Sequence, residues 1–193
     1  MRQASITRET TETKINLSLN LDGSGNGEIT TGIGFFNHML QLLTAHSAID
    51  LSLKATGDLA VDGHHTVEDV GICLGEGFKK ALGNKAGIRR YGFFYLPMDE
   101  ALVRVSLDFS GRSHLNWELG ELREKVGDFD TELVEEFYRG FVRGAGLTLH
   151  MDRIRGRNSH HIIEASFKGF GRALREAVAV TGTEIPSTKG ILT

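Results

Sequence analysis

Two stretches of the chain, HHTVED beginning at His64 and HHIIEA beginning at His160, share the pattern His-His-x-x-Glu. Chance alone gives this pattern about 0.03 times in a chain of this composition, so its double use points to an internal duplication. On a helix, residues four apart lie about 40° apart around the axis and residues three apart about 60°. Glu68 can therefore share a cation with His64 or His65, and Glu164 with His160 or His161. Adjacent histidines point about 100° apart, which assigns the members of each pair to different ions. Four imidazoles and two carboxylates form a mixed nitrogen and oxygen set suited to Mn, Fe, Co, Ni or Zn. A structural zinc site more often uses thiolates, and the chain has one cysteine, Cys73. The expectation is a pair of octahedral catalytic ions with positions open to substrate.

Other residues recur around the clusters. His38 precedes the first cluster by 26 residues and Glu136 precedes the second by 24, while His46 and His150 follow at corresponding places. Each could complete a coordination sphere. Lys168 lies two turns beyond His160, and the tail IPSTKG adds Ser187, Thr188 and Lys189 beside a glycine that permits close backbone approach. With Arg90 and Arg112 these groups could bind a phosphate monoester, arginine giving paired donors and lysine a point charge.

The elements that must position these residues repeat as well. Ile15, Leu17, Leu19 and Leu21 alternate with polar residues as a half-buried strand does, and DGSGNG turns it toward a short strand near 28–31. A helix follows over 34–45, then the alternating strand IDLSLKA, then a longer helix over 64–82 that glycines interrupt. The second half repeats the order with EALVRVSLDFSG, SHLNWEL, a helix placing Leu133, Val134, Phe137, Tyr138 and Phe141 on one face, LTLHMDRI, and a long helix from the second cluster. A ββαβα order written twice, about 1–92 and 93–193, predicts one α+β domain with two sheets whose helices cover one face.

Bulk properties narrow the function. A net charge of -3 gives no whole-molecule attraction to nucleic acid or anionic membranes, so the expected partner is a small ligand. No segment approaches the roughly 18 consecutive apolar residues of a membrane span, and the N-terminus has no apolar run of signal-peptide length, so a cytoplasmic location is expected. Cys73, within VGICLG, reads as a buried apolar residue. On the residues alone, two classes stay open. They are an enzyme using the paired ions on a small phosphate ligand, of which a dinuclear phosphate-ester hydrolase is one case, and a metal-dependent assembly or storage protein.

GFFNHML, VDGHHTVEDVGI, LDFSGR, GRNSHHIIEASFK and IPSTKG, in this order from one end of the chain to the other, closely resemble the imidazoleglycerol-phosphate dehydratase family, in its monofunctional form. The resemblance implies a ribosomal protein S5 domain 2-like duplicated fold, a manganese-dependent hydro-lyase of histidine biosynthesis, and a homo-oligomer of 24 subunits with metal sites between neighbours. It implies metal ligation by His38, His64, His65, Glu68, His160, His161 and Glu164, and substrate contacts by Glu12, His46, Arg90, Arg112, Lys168, Ser187 and Lys189, with His38 also beside the substrate. Glu136 stands where many members carry a metal-binding histidine, and it is taken here as a ligand because glutamate suits manganese better than a softer metal.

The reaction so implied is loss of water from imidazoleglycerol phosphate to give imidazole acetol phosphate. The hydrogen removed has no neighbouring carbonyl to acidify it. Two Mn²⁺ ions on the ring nitrogens would stabilise an imidazolate that expels the hydroxyl, leaving a diazafulvene-type intermediate. Glu12 is the candidate proton carrier, with a metal-bound water or His46 in competition and Glu68 and Glu164 completing the catalytic set.

Overall fold

The computed structural model describes residues 2–192. The first half runs β1 (Gln3–Glu9), β2 (Thr13–Asn20), β3 (Gly27–Thr30), α1 (Gly34–Ser47), β4 (Asp50–Gly57) and α2 (His64–Leu82). The second half runs β5 (Tyr91–Met98), β6 (Ala101–Asp108), β7 (His114–Glu118), a small hairpin of β8 (Lys125–Val126) and β9 (Phe129–Asp130), α3 (Leu133–Ala145), β10 (Thr148–Arg155) and α4 (Ser159–Val178).

Both halves build the same sheet. The strand orders are β1-β2-β4-β3 and β5-β6-β10-β7. In each sheet the strand before the short helix pairs parallel, β3 with β4 and β7 with β10, and the other pairings are antiparallel. Alternation fixes which face is covered. β2 buries Thr13, Ile15, Leu17 and Leu19 while Lys14, Asn16 and Ser18 face solvent, and β6 buries Ala101, Val103, Val105 and Leu107.

The ββαβα order is present in each half, with one further strand in front. That strand lacks a legible pattern for a different reason in each case. In β1 the exposed positions are Gln3, Ser5, Thr7 and Glu9, and Ala4 is its one fully buried side chain. In β5 both faces are apolar, with Tyr91, Phe93 and Tyr95 exposed opposite Leu96, so no period of two appears. Both are edge strands, where Pro97 leaves no unmade hydrogen bond inside the sheet.

The helices lie between the sheets and pair across the duplication, α2 with α3 and α1 with α4. Glycine makes the first pairing close. A Cβ on Gly71 would lie 2.4 Å from the carbonyl oxygen of Phe137, and one on Gly140 would lie 2.5 Å from that of Glu68. Gly75 and Gly144, one turn further along each helix, repeat the relationship. The glycines that interrupt the apolar pattern of α2 are thus its contact surface with α3. Around this seam Phe137, Tyr138, Phe141, Phe167 and Phe170 are buried together, with the Tyr138 hydroxyl 3.2 Å from Ser166 Oγ.

Candidate active site

Each cluster is set at a helix start by an Asx residue two positions earlier. Asp62 Oδ1 accepts from the backbone N–H of His64 at 2.8 Å, and Asn158 Oδ1 accepts from that of His160 at 3.0 Å. The first helical turn, which has no intrahelical partner for its N–H groups, is thereby fixed where the histidines project.

Three ligand atoms converge from three different turns of two helices. One donor atom each from His38 of α1 and His160 and Glu164 of α4 lie within 4.8 Å of one another. His160 Nε2 is 3.0 Å from Glu164 Oε2, and His38 Nε2 is 3.9 Å from the same oxygen. Lys168 Nζ holds the other carboxylate oxygen at 2.5 Å. Burial pushes the Glu164 carboxyl upward, but Lys168 and His160 outweigh it, so the group titrates below the usual glutamate range and stays ionised. Two imidazoles and an ionised carboxylate make a cation site, and the donor chemistry fits a divalent ion of intermediate softness.

The corresponding group in the other pairing is not drawn together. His64 Nε2 lies 3.9 Å from Glu68 Oε2, but Arg143 Nη2 takes Glu68 Oε1 at 2.8 Å. Glu136, the counterpart of His38, lies 4.0 Å from Arg139 Nε. Among the described residues the His38 group alone brings three such donors together.

His65 and His161 face away from these groups, and carboxylates hold them. Asp58 Oδ2 lies 3.0 Å from His65 Nδ1, and Glu100 Oε2 lies 2.7 Å from His161 Nδ1. These contacts push both imidazoles up, chiefly through the Asp58 and Glu100 hydrogen bonds, and His161 in turn helps hold Glu100 down at about 2. With Nδ1–H donated to a carboxylate, Nε2 is the free nitrogen of each ring. Glu12 Oε1 is 3.7 Å from Nε2 of His65, and Asp99 Oδ2 is 3.8 Å from Nε2 of His161. Asp58, Asp99 and Glu100 were not singled out in the sequence. They are loop carboxylates with no spacing of their own, and the turn-forming PMDE is the one available signal.

The basic residues divide. Arg90, Ser110, Arg112, Ser187, Thr188 and Lys189 line a concavity of about 560 Å³ closed by the C-terminal segment. Arg90 is committed within it, donating to both Asp108 oxygens at 2.7 and 3.0 Å and to the Pro186 carbonyl at 2.8 Å. Lys168 is placed instead beside Glu164, near His46. Burial, then the charges of Lys168 and Arg172, lower the pKa of His46 and keep it neutral. His150 lies on β10 next to His114, on the sheet face away from the helices, and does not reach either cluster of this chain.

Fold and site define a duplicated α+β protein with a candidate divalent-cation centre, and it is the relatives that make it a hydro-lyase. A family model described as imidazoleglycerol-phosphate dehydratase matches residues 31–174, and the chain belongs to that family. It is 58% identical over 194 residues to the imidazoleglycerol-phosphate dehydratase of Thermoanaerobacter sp. strain X514, and 55% identical over 195 residues to that of Polynucleobacter necessarius, all of each chain being covered. The crystal structure of the Staphylococcus aureus imidazoleglycerol-phosphate dehydratase matches with a TM-score of 0.85 at 46% identity, covering 93% of this chain and 99% of that one. The Pyrococcus furiosus IGPD structure matches with a TM-score of 0.82 at 38% identity, covering 97% and 100%.

Proposed function

We propose that this protein converts imidazoleglycerol phosphate to imidazole acetol phosphate in histidine biosynthesis, in the cytoplasm, with two Mn²⁺ ions per active site. The observation that carries the metal site is the convergence of His38, His160 and Glu164 from opposite halves of the duplication. Bound Mn²⁺ would supply Lewis acidity to the substrate's imidazole ring and be held by that group together with His64, His65, Glu68, Glu136 and His161.

The chain's own groups account for the rest. The hydroxyl leaves the ring-attached carbon as water, through an imidazolate and a diazafulvene-type intermediate whose neighbouring C–H is acidic. Loss of that proton gives an enol, which becomes the ketone. Glu12 is half exposed, with its carboxylate toward His65, and suits that proton transfer. Neutral His46 is the second group able to accept a proton. Arg112, Ser187 and Lys189 bind the phosphate while Arg90 fixes the backbone that presents them, and the remote grip orients the reacting carbons.

One chain does not gather all the donors, since the His64 and His38 groups are separate and neither meets the phosphate concavity. This supports a homo-oligomer, of 24 subunits in the family's manner, with metal sites completed between neighbours. The test is purified protein with imidazoleglycerol phosphate and Mn²⁺ against a chelated control. A Mn²⁺-dependent ketone retaining its phosphate is expected. Release of inorganic phosphate would instead mark a hydrolase, and no turnover would overturn the reading.

A further inference from the structure

The two cluster helices differ at the residue after the glutamate, which is Asp69 in α2 and Ala165 in α4. Asp69 is 7% exposed, and the chemistry above makes no use of it. Its Oδ2 accepts from Thr13 Oγ1 at 2.6 Å, and its Oδ1 meets Arg8 Nη2 at 2.9 Å. Arg8 is near the end of β1 and Thr13 begins β2, so one buried carboxylate ties both sides of the turn that carries Glu12. A charge-assisted bond this short, made on a helix, is a rigid anchor.

The turn is fixed from two other directions. Thr10 Oγ1 accepts from the N–H of Glu12 at 3.1 Å and of Thr13 at 2.9 Å. The N–H of Asp58, whose side chain holds His65, donates to the Glu12 carbonyl at 3.1 Å. The Glu12 backbone is thus immobilised while its carboxylate stays unburied beside His65. In the other half the matching turn is held differently. Glu100 accepts from the N–H groups of Arg157 and Asn158 at 3.1 and 2.8 Å, and α4 offers only Ala165 where α2 has Asp69.

We propose that Asp69, with Thr13 and Arg8, is a positioning unit that sets Glu12 for proton transfer. The proposal rests on Glu12 having that role. It is tested in the Mn²⁺-loaded enzyme by kcat, KM and metal content for Thr13→Val, Thr13→Ser, Glu12→Gln and the Thr13→Val/Glu12→Gln pair, with Asp69→Asn beside them.

Thr13→Val removes the donor and keeps the shape. Misplacing a reacting group by about 1 Å costs up to about 100-fold, so a fall in kcat on that scale is expected, with KM and metal content held. Thr13→Ser should restore kcat, and Thr13→Val should cost nothing further in the Glu12→Gln background. Amide exchange at Glu12 and Thr13 should quicken in Thr13→Val and not in Thr13→Ser. Equal loss in both backgrounds, or an unaltered kcat in Thr13→Val, would overturn the positioning role while leaving Glu12 in place. Full activity in Glu12→Gln would remove Glu12 as the proton carrier, and the proposal with it.

Discussion

Oε2 of Glu100 lies 2.7 Å from Nδ1 of His161, across a turn and a helix start 61 residues apart in sequence. The contact predicts a pH window for the stability of metal-free protein. The His161 pKa is raised above 6.5, so its contribution is complete below about 6.5 and declines as pH rises through the folded value. The Glu100 pKa is lowered from 4.5 to about 2, so its contribution is complete above 4.5 and declines as pH falls toward 2. The difference in melting temperature between wild type and Glu100→Gln should therefore be greatest between pH 4.5 and 6.5 and shrink on either side. A difference that does not vary with pH would contradict the pairing.

Asp58 holds His65 as Glu100 holds His161. Removing such a partner from a ligating histidine costs about 10–100-fold in metal affinity. Asp58→Ala should lower Mn²⁺ affinity on that scale in a calorimetric titration, with His65→Ala losing more. Wild-type affinity in His65→Ala would show that this ring does not bind metal.

If subunits share the ions, metal removal should change size as well as rate. Sedimentation after chelation should show a smaller species, and readdition of Mn²⁺ should restore the larger one and the activity together. The same dissociation should accompany acidification through about 6.5, where ordinary histidine protonates and stops ligating. An unaltered sedimentation profile in metal-free acidic buffer would count against metal-bridged subunits.

Gly71→Ala tests the helix seam. Its new Cβ would meet the Phe137 carbonyl at 2.4 Å, backbone that cannot turn aside. Overpacking of this kind costs about 1–3 kcal/mol, to be read from urea unfolding of the metal-free protein. Gly34→Ala, where nothing lies within 4 Å, is the control.

The parts legible in the sequence are those written in periods. The cluster helix over 64–82 and the strands with one apolar face appear where alternation placed them, because each buries one face of its own. β1 escaped because its inward positions, Ala4, Ile6 and Arg8, include a small and a charged side chain, and β5 because apolar residues on both faces hide its period of two. The site divides the same way. His160, Glu164 and Lys168 are four residues apart in turn and meet on α4 as helical spacing requires. Asp58 and Glu100 reach their histidines from loops, and Arg143 reaches Glu68 from α3, contacts that depend on tertiary packing alone.

The crosswise helix pairing has a consequence for synthesis. As the chain emerges, α1 and α2 are complete by residue 82, yet the surfaces that cover them belong to residues 133–178. The first half must therefore wait with an uncovered apolar face, and the Gly71 and Gly75 stretch has no backbone to rest against until α3 is made. Contacts between such distant segments slow folding and favour one late, cooperative step over the independent maturation of two copies. Though written twice, the unit should be unable to fold once: a chain ending near residue 90 would collect on chaperones rather than mature.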